Sequence, residues 1–163
     1  MKPLSVPPAL TTPAEPIGRG ALWARHIYLG LAVLFWLGIV AQAFFAGAGI
    51  FVAGSWMAWH EALGHLMSSP IPLIPLLLLI LSFAGRLPRA DKWLCGLLLF
   101  LTMIQPVMLY MRGVLPLLSA FHPVNALLLF ALPMALIGRV RRAQRSATVA
   151  AAPREMTYRP SAE

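Results

Sequence analysis

Residues 27–59 read IYLGLAVLFWLGIVAQAFFAGAGIFVAGSWMAW, and this stretch of 33 residues contains no Asp, Glu, Lys or Arg. An α-helix rises ~1.5 Å per residue, so about 20 apolar residues cross the ~30 Å hydrocarbon layer of a bilayer. The stretch is therefore longer than one crossing needs. Gly54, Ser55 and Trp56 near its far end favour a turn into a second helix.

Three further blocks without charged residues follow, at 62–85, 93–111 and 113–138. A backbone inside lipid must satisfy its own hydrogen bonds, which leaves helices or a closed barrel. The unbroken Leu and Ile run at 76–81 lacks the alternation of a barrel strand. We therefore predict an all-α integral membrane protein, an antiparallel bundle of two tandem helical hairpins, with helices at about 26–52, 57–84, 92–112 and 120–138.

Composition supports the same class of protein. Hydrophobic residues make up 60% of the 163 residues and charged residues 11%, against roughly 25% charged residues in an average soluble domain. Cationic residues near helix ends stay in the cytoplasm, and twelve of the 13 Lys and Arg residues fall on one side of the predicted helices, the exception being Arg112. We predict that both termini are cytoplasmic, and that the net charge of +8 reflects orientation in the membrane and no binding of nucleic acid.

The two ends of the chain differ in composition from the middle. Residues 1–24 and 143–163 are rich in Pro, Ala, Thr and Ser, and we predict disordered cytoplasmic tails on either side of a transmembrane domain at 25–142. Pro70, Pro72 and Pro75 lie near the middle of the predicted second helix and are expected to kink it. Pro123 suits the first turn of the fourth helix, with Ser119 as its cap.

An internal repeat becomes visible when the chain is laid on itself at an offset of about 62 residues. Gln42 then falls on Gln105, and His60 falls on His122, with 18 residues from Gln to His in the first half and 17 in the second. A small residue, Gly64 or Ala126, follows each His by one helical turn. The repeat predicts that both histidines lie at a similar depth, near the extracytoplasmic end of the bundle.

Polar groups are costly inside a membrane unless they face the protein interior or a site. Two imidazoles facing each other across a four-helix core are suited to bind a metal, most specifically a haem iron, from both sides. We therefore predict His60 and His122 as metal ligands, with Gln42, Gln105 and Gly64 in the same cofactor site and Arg112 meeting the propionates. The alternative is a structural hydrogen-bonded pair, with both glutamines joining helices.

Several other types of site are excluded or disfavoured. HEALGH at 60–65 is similar to a zinc-protease motif, but Gly64 occupies the place of the second His that this chemistry needs. The chain has no glycine-rich nucleotide motif and a single cysteine, Cys95, so no intramolecular disulfide forms. A transporter is disfavoured because Glu61 is the one acidic residue within the predicted membrane helices and no broken helix pair is evident.

Two pairs of segments carry a resemblance: AQAFFAGAG (41–49) with HEALGHLM (60–67), and IQPVMLYMRG (104–113) with HPVNALLLF (122–130). Over about residues 25–142 the chain resembles a family of small bacterial four-helix membrane proteins of unknown function. More distantly, it is similar to one four-helix half of the haem A synthases, which implies that His60 and His122 match paired haem ligands. The synthases have two such halves, and no acidic residue precedes His60 to match their catalytic carboxylate.

Two hypotheses follow for a multi-pass protein of the bacterial cytoplasmic (inner) membrane. The first is haem b binding through two histidines, with electron transfer. The second is a non-catalytic membrane subunit or assembly factor without a cofactor, whose partner in the bilayer is another membrane protein or a second copy of the chain. Enzymatic activity is left open by the sequence.

Overall fold

The computed structural model describes residues 17–68 and 71–151, and every regular element in them is helical. The helices are α1 (Arg19–Phe51), α2 (Trp56–Ser68), α3 (Leu73–Ala84), α4 (Arg89–Tyr110), the short α5 (Pro116–Ala120) and α6 (His122–Ala151), with a 3₁₀ turn at Met111–Gly113. Four spans of the described chain are long and apolar enough to cross a membrane: α1, α2 with α3, α4 with the 3₁₀ turn, and α5 with α6. The predicted all-α chain with four such spans is confirmed.

The spans form an antiparallel bundle in which spans that follow each other in the chain lie side by side. The backbones of α1 and α4 both run close to those of α2, α3 and α6. Within the described residues the backbone of α1 stays apart from that of α4, and the backbones of α2 and α3 stay apart from that of α6, so these pairs meet only through side chains. The second and fourth spans therefore lie diagonally opposite each other. We call the end where α2 and α6 begin the histidine end, and the end where α1 and α4 begin the basic end.

The second span is interrupted, in line with its prolines. The structure ends α2 at Ser68 and begins α3 at Leu73, with the buried Pro72 at the N-cap of α3. Proline has no amide hydrogen to donate, so it disrupts a helix interior but is tolerated in a first turn, where Pro75 lies. Pro70 lies outside the described residues.

The first and last helices, α1 and α6, extend beyond the predicted bounds. α1 begins at Arg19 instead of about 26, and α6 continues to Ala151 instead of about 138. Ala, Arg and Gln in these segments favour helix, and residues 19–24 and 143–151 of the predicted tails are helical; residues 1–16 and 152–163 lie outside the described residues. Pro123 lies in the first turn of α6 as predicted, but Ser119 does not cap it, because its hydroxyl donates to the carbonyl of Met108 at 2.6 Å.

The packed core lies in the half of the bundle nearer the basic end. Its centre includes Tyr28, Phe35, Leu78, Leu98 and Leu136, each at most 1% exposed. Tyr28 Oη lies 3.2 Å from the Cys95 thiol, and an Arg139–Asp91 ion pair joins α6 to α4. α2, at the histidine end, contains no buried residue. The bundle is therefore densely packed at one end and open at the other.

Candidate functional site

The two histidines of the repeat face each other across the histidine end. His60 is the fifth residue of α2 and His122 is the first residue of α6, on diagonally opposite helices. Their ring centroids are 6.5 Å apart, and the ring planes cross at 70°. Residues separated by 62 positions in the sequence thus meet at the centre of the bundle.

Each imidazole is held by the backbone of its own repeat. His60 Nδ1 lies 3.0 Å from the carbonyl oxygen of Gln42, and His122 Nδ1 lies 3.2 Å from that of Gln105. A carbonyl only accepts hydrogen bonds, so in each pair Nδ1 carries the proton and donates it. In the neutral ring the Nε2 atom then keeps its lone pair. A hydrogen bond from Nδ1 to a backbone carbonyl is the usual support of a histidine that binds metal through Nε2.

The second half of the repeat adds a side-chain network. Gln105 Nε2 donates to the carbonyl of His122 at 3.1 Å and lies 3.4 Å from His122 Nε2. Asn125, which is 3% exposed, donates from Nδ2 to Gln105 Oε1 and, at 2.9 Å, to the carbonyl of Leu101. The Gln105 side chain is therefore fixed through both its nitrogen and its oxygen.

The first half of the repeat lacks this network. Leu63 stands where the second half has Asn125, and the buried Gln42 Oε1 has no hydrogen-bond partner. A Cβ added at Gly64 would lie 3.1 Å from Gln42 Nε2, so the absence of a side chain at Gly64 leaves room for the amide. The two halves share their histidines and glutamines but differ in what fixes the glutamine.

One cavity joins these residues. It has a volume of about 780 Å³ and lies between α1, α2, α4 and α6, with mostly apolar walls. A volume of this size is in the range of roughly 300–1,000 Å³ that small-molecule and cofactor sites occupy. All six residues predicted for the site line it: Gln42, His60, Gly64, Gln105, Arg112 and His122.

The donor set restricts which groups fit. Within the described part of the chain, no group of three or more His, Cys, Asp and Glu side chains is arranged to hold a metal ion. Two histidines supply two donors, so an ion held here needs its other donors from a second molecule, as a porphyrin provides. Two metal–nitrogen bonds of ~2 Å on opposite sides of one ion place the ring centres roughly 6.3 Å apart, close to the 6.5 Å observed.

Other lining residues were not assigned to the site from sequence. Glu61, His65 and Tyr110 line the same cavity, although the helical spacing places His65 on a different side of α2 from His60. The cavity is wide enough to contact more than one side of that helix, which spacing within a helix does not reveal. The acidic Glu61 and the phenol of Tyr110 add polar groups to the wall.

Comparison with known proteins gives a partial match. Residues 42–111 match the model of a family of unknown function (DUF6220), so the chain is similar to that family over 70 of its 163 residues. The match includes Gln42, His60, Gly64 and Gln105 and ends before Arg112 and His122. No curated protein and no solved structure matches the chain. The resemblance to the haem A synthases therefore stays a prediction.

Proposed function

We propose that the chain crosses a bacterial cytoplasmic membrane four times, with both termini in the cytoplasm, and binds one haem b between His60 and His122 for electron transfer. The observation that carries the haem proposal is the pair of repeat-related imidazoles. Their rings lie 6.5 Å apart, and each has Nδ1 fixed by a backbone carbonyl. This arrangement leaves the Nε2 lone pair of both rings as the donor to a metal, although Nε2 of His122 also lies 3.4 Å from the Gln105 amide nitrogen.

Charge supports the orientation. Of the ten Lys and Arg residues whose positions the structure describes before residue 147, nine lie at the basic end and Arg112 alone lies at the histidine end. Large apolar side chains such as Leu34, Ile80 and Phe100 are exposed on the outside of the bundle, where they fit a lipid environment. The test is labelling of single cysteines in a Cys95→Ala background. We expect Gly113→Cys to react in intact cells and Ala90→Cys to react only after lysis.

The walls of the cavity fit the rest of a haem. An apolar lining suits the macrocycle, and Arg112, half-way along the turn between α4 and α5, provides a cation for the propionates. The single cysteine excludes the paired-cysteine attachment of a c-type haem, so the group is held by its ligands and its packing alone. A haem held by His60 and His122 would supply reversible one-electron transfer.

The test is an absorption spectrum of the protein purified from cells supplied with haem precursor. We expect a Soret band, a reduced-minus-oxidised spectrum with resolved α and β bands as two histidine ligands produce, and a content near one haem per chain. His60→Ala and His122→Ala change the spectrum, whereas His65→Ala, which alters another histidine of the same cavity wall, leaves it unchanged. Purified wild-type protein without a Soret band would overturn the proposal.

One observation favours a second candidate, a non-catalytic membrane subunit or assembly factor. The network of Gln105, His122 and Asn125 satisfies most of its own hydrogen bonds, as expected of a purely structural polar cluster. This candidate predicts that His122→Ala and Asn125→Leu lower stability equally in the presence and absence of haem. It also predicts a second chain, either another membrane protein or a second copy, in crosslinking experiments.

A further inference from the structure

The two histidines of the site have different surroundings. Among the described residues, His60 has one hydrogen-bond partner, the carbonyl of Gln42 at 3.0 Å. His122 has the longer bond to the carbonyl of Gln105, at 3.2 Å, and its Nε2 also faces the Gln105 amide at 3.4 Å. The nitrogen that His122 would offer to a metal is thus already engaged.

The Gln105 amide is well fixed in this position. Its nitrogen also donates to the carbonyl of His122 at 3.1 Å, and its oxygen accepts from Asn125, a residue only 3% exposed. Moving the amide away from His122 Nε2 therefore disturbs two further hydrogen bonds. No such restraint acts on the Gln42 side chain, whose oxygen Oε1 is buried without a partner and whose repeat lacks an equivalent of Asn125.

We infer that the two histidines are unequal ligands: His60 is the permanent ligand of the site and His122 the exchangeable one, with Gln105 competing for its Nε2. The inference rests on the proposed haem binding. When His122 binds metal, Gln105 must give up a contact that it regains when His122 leaves. The bond between His122 and metal is therefore weakened relative to that of His60.

An exchangeable histidine allows the site to bind a small ligand as well as haem. A small donor ligand that enters the cavity of about 780 Å³ can take the place of His122 while His60 keeps the haem bound. The class of ligand is set by the vacant metal position and the apolar wall: a small neutral or singly charged molecule with a lone pair, such as imidazole or cyanide.

The repeat supplies matched variants for the test. Position 125 in the second half of the repeat corresponds to position 63 in the first half. Asn125→Leu therefore introduces the leucine found in the first half, and Leu63→Asn introduces the asparagine found in the second half. The probe is potassium cyanide, titrated against the oxidised haem-loaded protein and followed by the Soret shift. We expect Asn125→Leu to weaken cyanide binding about fivefold, the effect of one net hydrogen bond, because His122 is released from competition.

Single histidine variants give the second readout. His122→Ala is expected to keep most of its haem and to bind cyanide more tightly than the wild type, whereas His60→Ala loses its haem on gel filtration. Equal haem loss in both variants, or cyanide affinity that is unchanged in Asn125→Leu, would overturn the inference while leaving haem binding intact. A wild-type protein without haem would overturn both. In the haem-free protein, imidazole ¹⁵N shifts that place the proton of His122 on Nε2 would also contradict it.

Discussion

The basic end and the histidine end of the bundle are built from the same four spans but are packed in opposite ways. At the basic end Tyr28, Cys95 and Leu98 are fully buried, and polar groups pair with each other across helices. At the histidine end α2 has no buried residue, and the polar groups line a cavity of about 780 Å³. Between lipid-surrounded helices, packing and hydrogen bonds are the main source of stability. The basic end therefore stabilises the fold, whereas the histidine end has room for a ligand.

The polar groups at the two ends also differ, in whether they have hydrogen-bond or ion-pair partners. The carboxylate of Asp91, 2% exposed, is paired with Arg139, and the buried guanidinium of Arg25 donates to the carbonyl of Gly85 at 2.8 Å. At the histidine end, by contrast, Gln42 Oε1 and Asn125 Oδ1 are buried without partners. A buried polar atom without a partner lowers stability by roughly 1–3 kcal/mol. Such atoms at a cavity are expected where a site is shaped for a ligand.

The largest expected effect comes from breaking the ion pair at the basic end. Arg139→Ala leaves the carboxylate of Asp91, whose side chain is 3% exposed, without its half-buried cation. A buried charge left without a partner costs about 3 kcal/mol of unfolding free energy. The measurement is reversible unfolding in mixed detergent micelles. Arg141→Ala, an exposed cation on the same helix, is the control and should change stability by less than ~0.5 kcal/mol. Equal effects of the two variants would contradict the assignment of this end as the stabilising one.

Truncation of apolar side chains sharpens the comparison further. Leu98→Ala removes a fully buried side chain at the packed end and should lower the unfolding free energy by about 2 kcal/mol through the cavity it leaves. Leu127→Ala removes a side chain that is 69% exposed and borders the existing cavity. It should cost less than ~0.5 kcal/mol. Similar losses in detergent unfolding would show that the histidine end is as tightly packed as the other.

A smaller effect is expected where α1 meets α2. A Cβ added at Gly49 would lie 3.2 Å from the backbone nitrogen of Met57 and 3.0 Å from its Cε, so the two helices approach closely only because residue 49 has no side chain. A Cβ at Gly47 would meet no atom within 4 Å. Since Ala favours helix over Gly by about 1 kcal/mol, Gly47→Ala should stabilise the protein. Gly49→Ala should be less stable than Gly47→Ala by about 1 kcal/mol, again by detergent unfolding.

Much of the fold follows from the sequence because charge exclusion from lipid is a strong constraint. The blocks without charged residues predicted all four spans, and the prolines at 72 and 75 predicted the disturbance of the second. The sequence did not predict where α1 begins and where α6 ends, because a helix that leaves the membrane continues in water as long as its residues favour helix. Such an extension leaves no mark in a hydropathy pattern.

The sequence predicted those features of the candidate site that follow from the internal repeat. The register of Gln42 with Gln105 and of His60 with His122 predicted that the histidines lie at one depth, and the structure places them 6.5 Å apart. The sequence did not predict that the carbonyls of the same glutamines would hold the imidazoles. Backbone groups contribute the same atoms at every position, so no residue pattern marks them. The pairing of Asp91 with Arg139 was not predicted either, because both residues lie in the charged flanks of the membrane spans, where the sequence pattern does not show which charges pair.

The smallest effect tests the difference between the two halves of the site, and its sign is the informative part. Met has nearly the shape of Gln without its polar atoms. Gln42→Met removes a buried oxygen that has no partner, so stability should stay constant or rise by up to ~1 kcal/mol. Gln105→Met leaves Asn125 Nδ2 and the carbonyl of His122 each short of a partner, so stability should fall by about 1 kcal/mol. Unfolding of the haem-free protein compares the two directly. Equal losses would mean that Gln42 has a partner in the folded protein, and the asymmetry between the halves would then disappear.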